Sequence, residues 1–356
     1  MERGARAGPR AKTLESNLPY QCVVGTASVQ RGAGRIEGLD ALRGIAALLV
    51  LLFHVEFVFG LQPYFHRAYL SVDFFFLLSG ALMARQYEGR FPQTQAFVRL
   101  RLHRLWPMMA IGGVLGTLLF APQMGPLEAV LGCLMGLLFL PWLGSDKGLF
   151  PLNPPTWSIL FELLANALHA ALLHRIGTRQ LVGLAAICAA TLALFAPNLD
   201  LGSVRLNAAL GIPRVVMSYA LGIALWRLRE RLPALPVAAG CVMLPVVIVA
   251  LPQLPIAPLA GDMAFALIIA PLTLICGLGP LRFAKALLLR MGWLSFPLYA
   301  LHYPVLMLVG RSYGPLVSAA AAIVAAAAAG YLVERFGRHG VFRKRSRSTA
   351  PGLVRG

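Results

Sequence analysis

Residues 39–60 read LDALRGIAALLVLLFHVEFVFG, and the fold class follows from this run. Only Asp40, Arg43, His54 and Glu56 are ionisable in it. As an α-helix it would span about 33 Å, enough to cross a hydrocarbon core about 30 Å thick. The next run, YLSVDFFFLLSGALMARQY over residues 69–87, has the same character. Nine more follow at roughly 105–121, 126–143, 156–174, 180–196, 208–226, 235–252, 258–278, 291–310 and 314–334, making eleven apolar segments. The chain is 58% hydrophobic and 13% charged, with a mean hydropathy of +0.72. A soluble domain carries about twice that charged fraction. No water-soluble core absorbs so many long apolar runs. The expectation is an all-α polytopic membrane bundle.

The net charge of +18 comes from 28 Arg and 4 Lys against 14 acids. In a soluble protein this would suggest nucleic acid. Here the basic residues sit between apolar runs and at both ends, the distribution that keeps Arg and Lys on the cytoplasmic side. No nucleic-acid partner is expected. Residues 85–104, 175–179, 227–231 and 282–290 are Arg-rich, whereas 61–68, 197–207, 253–257 and 311–313 are nearly bare. Both termini are basic, so both are expected in the cytoplasm and the number of spans must be even. Three candidates lie between Arg104 and Arg175 where only two can cross. The segment 126–143 is therefore read as re-entrant or interfacial, which leaves about ten transmembrane helices.

Residues 1–35 lack the apolar h-region of a signal peptide and read as a disordered basic cytoplasmic arm. Residues 336–356, with Arg343-Lys344-Arg345, read as a basic cytoplasmic tail able to touch anionic membrane lipid. The membrane domain is placed at 36–335. Cys22, Cys133, Cys188, Cys241 and Cys276 form no CxxC pair and no metal spacing, so neither a disulfide framework nor a metal site is expected. No internal repeat or inverted hydropathy symmetry is visible. The Ala-, Arg- and Gly-rich composition points to a bacterial source, and hence to the bacterial inner membrane.

Ionisable residues inside spans are rare and costly, so each is a functional candidate. Arg43 and His54 are eleven residues apart, which returns to within ~20° of the same helix face and advances ~16.5 Å. That separation is comparable to an extended pantetheine arm. A guanidinium at one end can hold phosphate, and an imidazole at the other can accept a hydroxyl proton. A snorkelling Arg and a His packed between helices would read the same way. Asp73 lies near the outer end of the second segment, where it can orient an imidazole or bind acceptor hydroxyls. Ser79-Gly80 reads as a close helix crossing. Arg101 and Arg104, one turn apart, form a fork suited to pyrophosphate or a 3′-phosphate, or else a plain positive flank. Glu162 needs a partner inside its apolar helix, just after Trp157-Ser158. Ser295, Tyr299 and His302 follow at i, i+4 and i+7 on one helix face, a polar stripe toward a cavity or a helix–helix contact.

Five pieces together resemble acyltransferase family 3 of membrane O-acyltransferases. They are Leu39-Asp40-Ala41-Leu42-Arg43-Gly44 with His54; Val72-Asp73-Phe74-Phe75-Phe76-Leu77-Leu78-Ser79-Gly80; Arg101 and Arg104 with Pro107; Trp157-Ser158 with Glu162; and Ser295, Tyr299 and His302. They occur in family order over residues 36–335. Two positions depart from the family pattern: Ala81 stands where an aromatic is common, and Phe161 replaces a small or valine-like residue before the acid. Both narrow the expected acceptor site.

The resemblance implies ten helices with both ends cytoplasmic. It implies that Arg43, Arg101 and Arg104 contact an acyl-CoA donor, and that His54 is the catalytic base or a transient acyl carrier. Asp73 and Glu162 would serve the acceptor or the proton network, and Trp157, Ser158, Ser295, Tyr299 and His302 the substrate. The expected reaction moves an acyl group, acetyl by preference, from cytoplasmic acetyl-CoA or another acyl-CoA to a hydroxyl of a cell-surface polysaccharide or lipid-linked sugar. No permanently bound cofactor is expected. The competing reading is a proton-coupled transporter or glycan flippase whose intramembrane His and acids relay protons.

Overall fold

The computed structural model describes residues 34–144 and 148–339, and the side chains among them up to Gly337. Most of the arm expected over 1–35, the tail from residue 340 with Arg343-Lys344-Arg345, and Cys22 lie outside the described residues. Among the described residues the structure is helical, with no strand.

Helix α1 (Glu37–Phe59) stops at Gly60, which takes the left-handed conformation (φ 61°) and donates its N–H to the Glu56 carbonyl. A 3₁₀ turn (His66–Leu70) leads straight into α2 (Ser71–Tyr87), and α3 (Thr94–Phe120) follows. Then come α4 (Pro126–Leu137), α5 (Thr156–Ala171), α6 (Thr178–Phe195), α7 (Ala208–Leu228) and α8 (Val237–Ala250). Next, α9 (Pro258–Ala264) and α10 (Ala270–Gly277) are joined by a π turn (Phe265–Ile269) into one span. The last two helices are α11 (Lys285–Val309) and α12 (Pro315–His339).

Among the described residues, eight helices are long and apolar enough to cross a membrane. The segment Val237–Gln253, shorter and equally apolar, packs antiparallel to α9–α10: Gly240 meets Cys276 near one end, and Leu251 meets Gly261 near the other. Helix α5, with 16 residues, runs parallel to α2, since Glu162 pairs with Ser79 and His169 lies by Glu88. Counted with the eight, these two would make the ten expected. With 12 residues, α4 is only about 18 Å long, too short to cross. Exposed apolar side chains such as Ile187, Leu194 and Val324 belong to a lipid-facing perimeter, as expected where hydrocarbon replaces water.

Glycines set the closest helix crossings. A Cβ on Gly80 of α2 would collide with the Tyr219 carbonyl of α7, and one on Gly222 of α7 with the Leu77 carbonyl of α2. Between α1 and α11, Gly44 faces the Met291–Gly292 backbone while Gly292 faces Asp40. Lys285 and Glu37 pair at 2.7 Å, so α1 and α11 are parallel and begin at the same face.

Candidate active site

At the face where α1 and α11 begin, Arg43 reaches from α1 to Asp40 Oδ1 (2.9 Å) and to the Gly292 carbonyl of α11 (2.9 Å). Its Nε is buried without a partner. Arg35 also pairs with Asp40. From α3, Arg101 binds Glu162 Oε1 of α5 at 2.7 Å, and Ser79 of α2 donates to the same oxygen at 2.8 Å. The Nε of Arg101 is also buried and unpartnered. Arg104, one turn further along α3, is exposed and has no hydrogen bond or ion pair among the described residues, yet Arg43, Arg101 and Glu162 are all within electrostatic reach. Its charge is therefore open to a partner from outside the chain. Four guanidinium groups (Arg35, Arg43, Arg101, Arg104) face two carboxylates (Asp40, Glu162), which leaves an excess of two positive charges. Exposed Arg104 and partly exposed Arg43 are the donors an anion with several oxygens can reach, with the buried Arg101 charge behind them.

Eleven residues along α1, about 16.5 Å from Arg43 by helix rise, half-buried His54 meets His302 of α11. His54 Nδ1 is 2.9 Å from the Val50 carbonyl, and His302 Nδ1 is 2.9 Å from the Leu298 carbonyl. A carbonyl oxygen can only accept, so both rings carry their proton on Nδ1 when neutral. His302 Nε2, 3.1 Å from His54 Nδ1, then accepts a forked hydrogen bond from it. The Nε2 of His54 keeps its lone pair, has no partner among the described residues and is not sealed from the surface. The Tyr303 ring lies edge-on to His54 at 5.6 Å and the Phe53 ring at 4.9 Å.

The other expected site residues are dispersed around these two foci. Tyr299 hydrogen-bonds Ser158 at 2.5 Å, and the Ser158 hydroxyl donates to the Pro155 carbonyl at 3.0 Å. Their hydroxyls form a closed pair beside His302, whose ring centre is 5.9 Å from that of Tyr299. Ser295 donates to the Gly292 carbonyl at 2.7 Å and lies at the level of Arg43, away from the histidines. Trp157 packs against Phe76 and Phe161, with the Arg214 guanidinium 5.5 Å from its ring centre. Asp73 makes no contact with His54. Its oxygens bind Arg214 Nε (3.0 Å) and Nη2 (2.7 Å), both groups being fully buried. Glu162 is tied to Arg101 and Ser79, at the level of the guanidinium cluster.

Sequence reading passed over Arg214, an arginine inside the apolar run 208–226. Besides Asp73 it holds the Leu201 carbonyl (2.9 Å) and the Tyr69 carbonyl (3.1 Å). It also passed over Asp262, fully buried on α9, which accepts from Arg67 (2.7 Å), Tyr69 (2.6 Å) and the Leu199 N–H (2.8 Å). A single charge within an apolar run was the available signal for both.

A family model described as an acyltransferase domain matches residues 36–335. The chain belongs to this acyltransferase family. It is also similar to a curated protein called protein 2 in picA locus, from Rhizobium radiobacter. That match is 32% identical over 175 residues, covering 43% of this chain and 91% of the relative. No solved structure matches. The acyltransferase is thus a polytopic membrane enzyme, and its histidine pair and guanidinium cluster are the two candidate halves of its transfer site. No group of three or more His, Cys, Asp or Glu among the described residues could hold a metal ion.

Proposed function

We propose that this membrane acyltransferase takes its acyl group, acetyl by preference, from acyl-CoA bound at the Arg43–Arg101–Arg104 cluster and delivers it to a hydroxyl activated by His54. The observation that carries this reading is the placement of an unpartnered imidazole nitrogen about 16.5 Å along one helix from under-satisfied guanidinium groups. The phosphates of CoA take exposed Arg104 and the accessible edge of Arg43, with Arg101 adding charge behind them, while the pantetheine arm runs along α1. Glu162 and Ser79 hold Arg101 in place. The excess of two positive charges favours a polyanionic donor over a neutral one.

In the transfer, His54 Nε2 removes the acceptor hydroxyl proton as that oxygen attacks the thioester carbonyl carbon. The carbonyl π pair moves to oxygen, then returns as the C–S bond breaks. The CoA thiolate leaves and takes the proton from the His54 imidazolium, so alcohol and acyl-CoA become ester and free CoA. A neutral imidazole near pH 7 suits this role. The acceptor class, a hydroxyl of a cell-surface polysaccharide or lipid-linked sugar, rests on the family resemblance. The asymmetry of basic loops supports a cytoplasmic donor side, with both termini there, in a bacterial inner membrane.

The test follows radiolabelled acetyl-CoA into the glycan fraction of membranes holding wild type or His54→Ala. Incorporation by the wild type and none by an equally abundant variant supports reaction and base together. Equal incorporation by the two removes His54 from the chemistry.

A further inference from the structure

We propose that His302 is the positioning partner of His54, a neutral imidazole doing for this base what a carboxylate does in a hydrolytic triad. The proposal deepens the reading of His54 as the base and rests on it. His302 is 1% exposed, and both its nitrogens are committed: Nδ1 to the Leu298 carbonyl and Nε2 to His54. No nitrogen is left for a substrate, so a direct acceptor contact, the role the resemblance implied, does not fit.

Asp73 and Glu162, the carboxylates expected to serve the acceptor or the proton network, are occupied elsewhere. Asp73 is held by Arg214, and Glu162 by Arg101 and Ser79. Among the described residues His302 Nε2 is then the one side-chain acceptor on the Nδ1 edge of His54, sharing that proton with the Val50 carbonyl. When His54 takes the substrate proton, its Nδ1–H strengthens its bond to this lone pair, which stabilises the imidazolium. The charge stays on His54, because passing the Nδ1 proton to His302 would turn a bare Nδ1 lone pair on the Val50 carbonyl. The pair accordingly works as a base with one extra proton. The contact is built by the fold: α1 and α11 run parallel and touch at Gly44 and Gly292, one helical stretch below the histidines.

The experiment compares wild type, His302→Gln, His302→Leu and His54→Ala, each as full-length protein in membranes. Gln can place its Oε1 near the position of Nε2 and accept from His54; Leu fills the space and accepts nothing. The first readout is radiolabelled acetyl transfer from acetyl-CoA to the glycan fraction. His302→Leu should lose about tenfold or more in kcat at unchanged KM for acetyl-CoA, part of the hundredfold or more a general base supplies. His302→Gln should stay within about threefold of wild type.

The second readout needs no turnover. Diethylpyrocarbonate, read by peptide mass spectrometry, should acylate His54 on its free Nε2 and spare His302, and should react several-fold more slowly with His54 in His302→Leu. Three results would each overturn the proposal: wild-type kcat and reactivity in His302→Leu, a His302→Gln as impaired as His302→Leu, or a His302 that reacts as readily as His54. Failure of the base reading looks different. There, His54→Ala and wild type transfer equally, while the reagent still reports whether the two rings are paired.

Discussion

Asp73 and Arg214 separate a structural account from a catalytic one. Both side chains are fully buried, and the pair is joined by three close contacts of 2.7 to 3.2 Å. Removing one partner strands a charge in the interior, which costs about 3–5 kcal/mol. Against a net stability of roughly 5–15 kcal/mol, that is a large share. Asp73→Leu should therefore lower the apparent Tm of the detergent-solubilised protein by on the order of 10 °C. Arg214→Met should do the same, and should also release the Leu201 and Tyr69 carbonyls that Arg214 holds. The double variant leaves no charge unpaired and should recover most of that loss, since apolar replacement of a buried pair is often neutral or better. The expected coupling is about 2 kcal/mol or more. Fluorescence-detected size exclusion after heating gives the Tm, and acetyl transfer by the surviving folded fraction gives the activity. The reasoning is refuted if Asp73→Leu keeps the wild-type Tm but loses transfer, for then Asp73 serves the substrate directly.

Arg104 has no hydrogen-bond or ion-pair partner among the described residues to lose, so Arg104→Ala should leave the Tm unchanged and raise KM for acetyl-CoA roughly tenfold or more, the worth of one charged hydrogen bond; an unaltered KM would take it out of the donor site. Gly292→Val places new carbon against the Asp40 backbone, costs about 1–3 kcal/mol and pushes α11 off α1. It should cut transfer more than it cuts Tm, and transfer at wild-type rate would show that the α1–α11 spacing does not set the histidine contact. Gly113→Ala, on a face of α3 with nothing within 4 Å, is the matched control and should raise stability by about 0.5–1 kcal/mol, seen as a small rise in Tm.

Hydropathy carried the outline of the fold because nearly every span is an apolar run, with boundaries within a few residues of the helices. It falls short at the start of α11, expected from 291 and observed from Lys285, and most of all on α3, expected from 105 and observed from Thr94. The missing turns of α3 carry Arg99, Arg101 and Arg104, whose helical order comes from packing and from Glu162 rather than from apolar character. Over 126–143 the helix is short, Pro126–Leu137. Pairing was the part the sequence could not supply. Asp73 finds Arg214 141 positions away, and nothing local to either names the other. Asp73 therefore reads as an isolated carboxylate, open either to orienting an imidazole or to binding acceptor hydroxyls, and Arg214 goes unnoticed. The same-face stripe of Ser295, Tyr299 and His302 was legible as geometry, yet its members divide three ways: Ser295 to its own backbone, Tyr299 to Ser158 and His302 to His54.

The eleven-residue spacing on α1 acquires its meaning from α11. Arg43 bonds the Gly292 carbonyl and His54 meets His302, eleven steps along one helix against ten along the other. Two parallel helices that touch at both levels hold nearly the same rise, about 15–16.5 Å, between anion cluster and base. No loop contributes to that length, so loop movement cannot change it. A donor seated on the guanidinium groups would thus present its reactive end at a height fixed by helix geometry. Variation in the acyl chain or the acceptor must then be accommodated beyond His54, toward the end of α1 marked by Gly60, where Phe57 is exposed and Glu56 accepts from the Phe65 N–H at 2.9 Å. Substitutions that alter acceptor choice should concentrate there, and substitutions that alter donor affinity should concentrate at the level of Gly292.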